Sequence, residues 1–214
     1  MDSFLTINMD FFTEPYYIGG HFITDEWTSS TDFQAKSKIW IDVNAFIDRI
    51  KLARTRGCTI RDENQIIFSW RKMLAEKLVI PKKFTIINLS SHHGLYLKHD
   101  EKHYKSLRFK FHDFDYMIVP YIQDWVDSTI WVVPDYFDAD MIREHLKHLN
   151  VEVRDGTYFI NVSTNCQIKL KILKFREFHP ADYQIKYTGL VLNPKMAKMN
   201  SSTVNMLTNY LSQY

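Results

Sequence analysis

Residues 84–94 read FTIINLSSHHG: an apolar run of strand length that stops at two serines, two histidines and a glycine. A short continuous apolar stretch rich in Ile and Phe suits a strand buried on both faces of a parallel sheet. Residues 4–12, at the start of the chain, have the same character and carry Asn8 and Asp10 near their end. Further strands are expected at 107–111, 129–133 (ended by Pro134), 151–153, 158–162, 168–173 and 190–192. Helical spacing fills the intervals. Asp42 is a fitting N-cap for Val43, Phe46, Ile47 and Ile50, with Gly57 as the stop. A short apolar run at 66–68 leads into a helix over 70–78, broken by Pro81, and another helix is expected over 116–125. Asp138 or Asp140 caps a helix with Ile142, Leu146 and Leu149, and Ser201 or Ser202 caps a last one with Val204, Leu207, Tyr210 and Leu211. Residues 13–37, with Gly19-Gly20 and Trp27, read as an ordered aromatic loop or β-excursion. Strands alternating with helices predict an α/β fold: one domain over residues 1–214, a mainly parallel sheet with helices on both faces, and a small antiparallel excursion between 151 and 173.

Composition narrows the function classes. Lys+Arg is 27 and Asp+Glu is 25, a net charge of +2, which supplies no strong field for nucleic acid or an anionic membrane. The six glycines, Gly19, Gly20, Gly57, Gly94, Gly156 and Gly189, cannot be arranged into a dinucleotide fingerprint or a P-loop. Cys58 and Cys166 have no C-x-x-C pattern, so a disulfide framework or cysteine-rich zinc site is not expected. No signal peptide or membrane span is expected, and the chain reads as cytoplasmic.

In open α/β sheets ligands bind beyond the carboxyl ends of the strands. That rule places Asn8, Asp10, Ser90, His92 and His93 on the functional rim. Asn8 and Asp10, two residues apart on a strand, point the same way and can hold a cation or a water, or can cap nearby backbone. Imidazole serves as metal ligand or general base. Adjacent histidines on an extended chain diverge, so at most one of His92 and His93 joins a given site easily; a hydrogen-bonded core histidine is the alternative. His99 and His103 have H-x-x-x-H spacing but no H-E-x-x-H frame, and sit among charges that suit a solvated loop. Asp113 and Asp115 could supply carboxylates, or Asp113 a helix cap. Ser90 and Ser91 lie too close to His92 for ordinary triad geometry.

The order of these segments resembles the peptide arginases, a branch of the arginase-like ureohydrolases. Those proteins open with a strand like L-x-L-D-x-D-Y-F; the counterpart is Thr6-Ile7-Asn8-Met9-Asp10-Phe11-Phe12. A later family strand like N-F-D-A-H-H-D-x-G-Y matches Asn88-Leu89-Ser90-Ser91-His92-His93-Gly94-Leu95-Tyr96, and a W-V-x-P strand matches Trp131-Val132-Val133-Pro134. The resemblance implies a two-manganese centre that activates a hydroxide against the guanidinium of arginine within a peptide. It implies metal ligands at Asp10 and His92. At the other ligand positions Asn8, Ser90 and Gly94 replace aspartates and Trp70 replaces a histidine, while Asp115 stands where the family has asparagine. Losing carboxylates removes the charge that offsets two dications. The expectation is therefore a pseudoenzyme without cofactor, its degenerate pocket formed by Asn8, Asp10, Trp70, Ser90, His92, His93, Gly94 and Asp115. Such a protein acts by binding a protein or peptide partner in a regulatory role. The alternative is a manganese-dependent hydrolase with a rearranged site. A protein-interaction module unrelated to arginases, suggested by the aromatic richness, is the third possibility.

Overall fold

The structure is a computed structural model. It describes residues 2–12, 39–51, 55–61, 65–76, 83–95, 116–163, 166–192 and 201–212. The expected loop at 13–37, the expected strand at 107–111, His99, His103, Asp113 and Asp115 lie outside these residues.

β1 (Asp2–Asn8) and β3 (Phe84–Leu89) are neighbours in the middle of one mixed eight-stranded sheet, with Thr6 opposite Asn88 and Ile7 opposite Leu89. Every residue of β3 is buried, as an apolar run without alternation requires. The other strands are β2 (Arg56–Ile60), β4 (Val126–Val133), β5 (Val151–Arg154), β6 (Thr157–Ser163), β7 (Cys166–Lys174) and β8 (Gln184–Val191). Their spatial order is β2-β8-β1-β3-β4-β7-β6-β5. Neighbours run parallel from β2 through to β7; β6 and β5 then continue the sheet antiparallel. The antiparallel excursion is therefore an extension of the main sheet, and its last strand, β7, pairs parallel with β4.

Five helices are described: α1 (Val43–Ile50), α2 (Ile66–Ala75), α3 (Val119–Ile122), α4 (Ala139–Leu146) and α5 (Ser201–Ser212). The Asp42 carboxylate accepts from the N–H groups of Asn44 and Ala45 at 2.8 and 3.2 Å, and Asp138 accepts from Met141 N–H at 2.8 Å, two ordinary N-caps. α1 ends at Lys51 in the left-handed conformation, not at Gly57, which lies inside β2. The apolar run 66–68 is the first turn of α2, not a separate segment. Successive β1 side chains enter different cores. Phe4 joins Trp70 and Met73 of α2, Val119 of α3 and Leu146 of α4. Leu5 and Ile7 join Val43, Phe46 and Ile50 of α1 and Leu207 of α5. No helix among the described residues is long and apolar enough to cross a membrane.

Candidate functional site

β1 stops at Asn8, and Met9–Phe12 turns as a short 3-10 helix, so Asp10 stands beyond the strand end instead of sharing strand alternation with Asn8. Beside it, β3 stops at Leu89 and the chain bends through Ser90, Ser91 and His92. The two strand ends meet around the Asp10 carboxylate. Ser90 Oγ lies 3.1 and 3.0 Å from its two oxygens, Ser91 Oγ donates to Oδ2 at 2.7 Å, and His92 Nδ1 is 2.6 Å from Oδ2. Asp10 and His92 are each 3% exposed. A buried carboxylate needs such donors, because it has left water. The contact assigns the proton on His92 to Nδ1 and leaves Nε2 as the basic nitrogen. Ser90 Oγ is 2.9 Å from the same Nδ1. Serine and aspartate thus address one ring nitrogen, whereas a Ser-His-Asp relay needs them on opposite nitrogens.

A neutral amide pair lies against this cluster. Asn8 Nδ2 donates to Asn88 Oδ1 at 2.8 Å, and Asn88 Nδ2 donates to the His92 carbonyl at 3.3 Å. Asn8 Oδ1, fully buried, has no hydrogen-bond partner among the described residues. Trp131, next to Asn88 on β4, donates from Nε1 to the Ser90 carbonyl at 2.9 Å and fixes the bend.

The two histidines part company. His93 Nε2 donates to the backbone carbonyl of His145 at 2.9 Å, and its Nδ1 accepts from Leu95 N–H at 2.9 Å. Its ring meets Trp131 edge-on at 5.4 Å. Burial pushes His93 down from its ordinary value to about 4, with the neighbouring His92 and His148 adding to the effect and the His145 carbonyl opposing it. It is a neutral core histidine tying the bend to α4.

Gly94 has φ +71°, and a Cβ there would stand 2.7 Å from Met117 Cγ and 2.8 Å from Tyr116 Cε1. The backbone and its neighbours both demand glycine, so this conformation has no room for a carboxylate. Trp70 is fully buried on α2, edge-on to Phe4 at 6.0 Å and tilted on Tyr116 at 6.3 Å. Phe4 lies four residues upstream of Asn8, roughly 13 Å along the strand, so Trp70 packs the core below the cluster and makes no hydrogen bond to it. The structure therefore gathers Asn8, Asp10, Ser90 and His92, with Gly94 beside them. It directs His93 and Trp70 elsewhere, and Asp115 lies outside the described residues.

Ser91, weighed in the sequence only as a triad member, and Asn88 are partners that the sequence did not assign to this site. An asparagine inside the apolar run FTIINL was the available signal, since a buried amide needs a partner. Among the described residues no three or more His, Cys, Asp or Glu side chains are grouped to hold a metal ion. Among the described residues Asp10 is the one carboxylate at this cluster and the Asn8–Asn88 amides carry no charge, a donor set that does not by itself fit the two-manganese centre implied by the resemblance. Comparison of the chain with protein-family models and with curated proteins finds no match.

Proposed function

We propose that the chain is a non-catalytic relative of the arginase-like fold, cytoplasmic, acting in a regulatory role by binding a protein or peptide partner at the carboxyl ends of β1 and β3. The observation that carries this reading is the internal closure of Asp10: Ser90, Ser91 and His92 all direct polar groups at its carboxylate within 3.1 Å. Two further features support it: the neutral Asn8–Asn88 pair and the glycine-only backbone at position 94. Helices from α1 and α5 in one core and from α2, α3 and α4 in the other accord with a sheet layered on both faces, as the resemblance implies. The test is incubation of the purified chain with Mn²⁺ and an arginine-containing peptide. No urea release and no Mn²⁺-dependent rise in Tm are expected. Urea release that disappears in Asp10→Ala overturns the reading.

One observation favours a second reading, a rearranged metal-dependent hydrolase of peptidyl arginine. The Asp10–His92 contact at 2.6 Å orients the imidazole with Nε2 as its basic nitrogen, the arrangement found where a histidine serves as base or ligand. The same assay separates the two.

A further inference from the structure

β5 is the last strand of the sheet, and its outer edge is open among the described residues. Glu152, Val153 and Arg154 are exposed, Val153 at 57%. The hairpin that presents it turns in two residues. Asp155 and Gly156 both have positive φ, 48° and 73°, the two-residue turn that matches strand twist. Natural edges are blunted by proline, charged side chains, a bulge or shortness. VEVR is short and carries two charges, but they are of opposite sign; it contains no proline, and its pairing with β6 runs without a register shift.

The direction of each peptide group follows from one hydrogen bond. Asn161 N–H donates to the Asn150 carbonyl at 3.1 Å, so Asn150, Glu152 and Arg154 turn their peptide groups toward β6. Val151 and Val153 turn theirs outward. These outward groups are the ones an incoming strand can bond, and where Val153 faces Val153 that pair is the hydrogen-bonded one.

We propose that β5 pairs antiparallel with β5 of a second copy of this chain, about a two-fold axis through Val153, joining two sheets into one. The strand is complementary to its own reverse. With Val153 opposite Val153, each Glu152 faces the other copy's Arg154 on one side of the sheet. These are non-hydrogen-bonded positions, where facing side chains come closest. The valines meet on the other side. Within one chain Glu152 and Arg154 already pair, with Arg154 Nε 2.7 Å from Glu152 Oε1, so the groups share a face and reach each other's level. Both are solvent-exposed, so exchanging the intrachain partner for the one across the axis needs no desolvated intermediate. A two-fold contact of this kind closes on itself and does not propagate into a fibre.

The inference is independent of the site at Asp10. About this axis three strand residues per copy face each other and Val151 faces the turn residue Asp155, a small interface, so the dimer is concentration-dependent. Sedimentation velocity from about 10 μM to about 1 mM should show a monomer–dimer equilibrium. Glu152→Arg and Arg154→Glu each set like charges opposite one another, and each should weaken the dimer at least about tenfold. An equimolar mixture of the two variants should associate as a heterodimer, because every facing pair is again of opposite sign. Val153→Pro removes an N–H that points away from β6 and should also abolish pairing. Far-UV circular dichroism establishes that each variant is folded. A wild-type chain that stays monomeric throughout overturns the proposal. So does a dimer indifferent to these substitutions, or a pair of charge variants that fails to associate when mixed.

Discussion

Asp10 is held by its neighbours and holds them in turn. Its carboxylate is the shared acceptor for Ser90, Ser91 and His92, all drawn from the bend after β3. Removing it takes the shared acceptor from Ser90, Ser91 and His92, a loss that costs about 3 kcal/mol in comparable buried pairs. Asp10→Ala is therefore expected to lower unfolding free energy by about that amount in urea denaturation. Unchanged or raised stability would mean that the carboxylate is held at a cost, as functional groups are, and would favour the hydrolase reading. At this scale the sequence carried the residue types but not their directions. Strand alternation put Asn8 and Asp10 on one side, and the 3-10 turn at Met9–Phe12 separated them. Gly94 looked like a lost ligand, whereas its φ of +71° and the contacts at Met117 and Tyr116 require glycine whatever its history.

The bend after β3 and helix α4 are joined as elements through His93 and the His145 carbonyl. His145 itself is stacked on Phe137 and edge-on to Trp131, and burial, together with His93 and His92, holds it well below the ordinary histidine value. Both rings fold in the neutral state. The unfolded chain protonates them near 6.5, while folded His93 resists down to about 4, so the unfolded state binds more protons between those values. Stability is then greatest above about 6.5 and falls as pH drops through the window, by about 3 kcal/mol from His93 alone. Urea midpoints at pH 7, 5.5 and 4.5 would show the slope. His145→Phe, which keeps a ring on Phe137 and leaves the backbone carbonyl in place, should flatten it. An unchanged slope would show that carboxylates elsewhere govern the acid limb. Elements with strong local signals were legible: the apolar cores of β1, β3 and β4, and the Asp42 and Asp138 caps. β2 was not, because Arg56, Gly57 and Thr59 are exposed and only Ile60 is buried, so an edge strand here has no apolar run to betray it.

For the molecule as a whole, the order of strands in space departs from their order in the chain in a way no local pattern records. β8, from near the carboxyl end, lies between β2 and β1, so the first strand reaches β2 only through the last. α5, which follows β8, contributes Leu207 to the same core as Leu5 and Ile7. The sheet is therefore incomplete until β8 is in place, and each core draws on residues from both ends of the described sequence. Two consequences are measurable. Equilibrium unfolding followed by tryptophan fluorescence, with Trp40, Trp70, Trp125 and Trp131 spread over both cores, should coincide with unfolding followed by far-UV circular dichroism. Deletion of residues 184–214 should abolish the cooperative transition altogether, because it uncovers the edge of β1 and separates β2 from the sheet. A truncated chain that still unfolds in one sharp step would mean that β1, β3, β4 and β7 form a self-sufficient unit, with β8 and α5 only docked upon it.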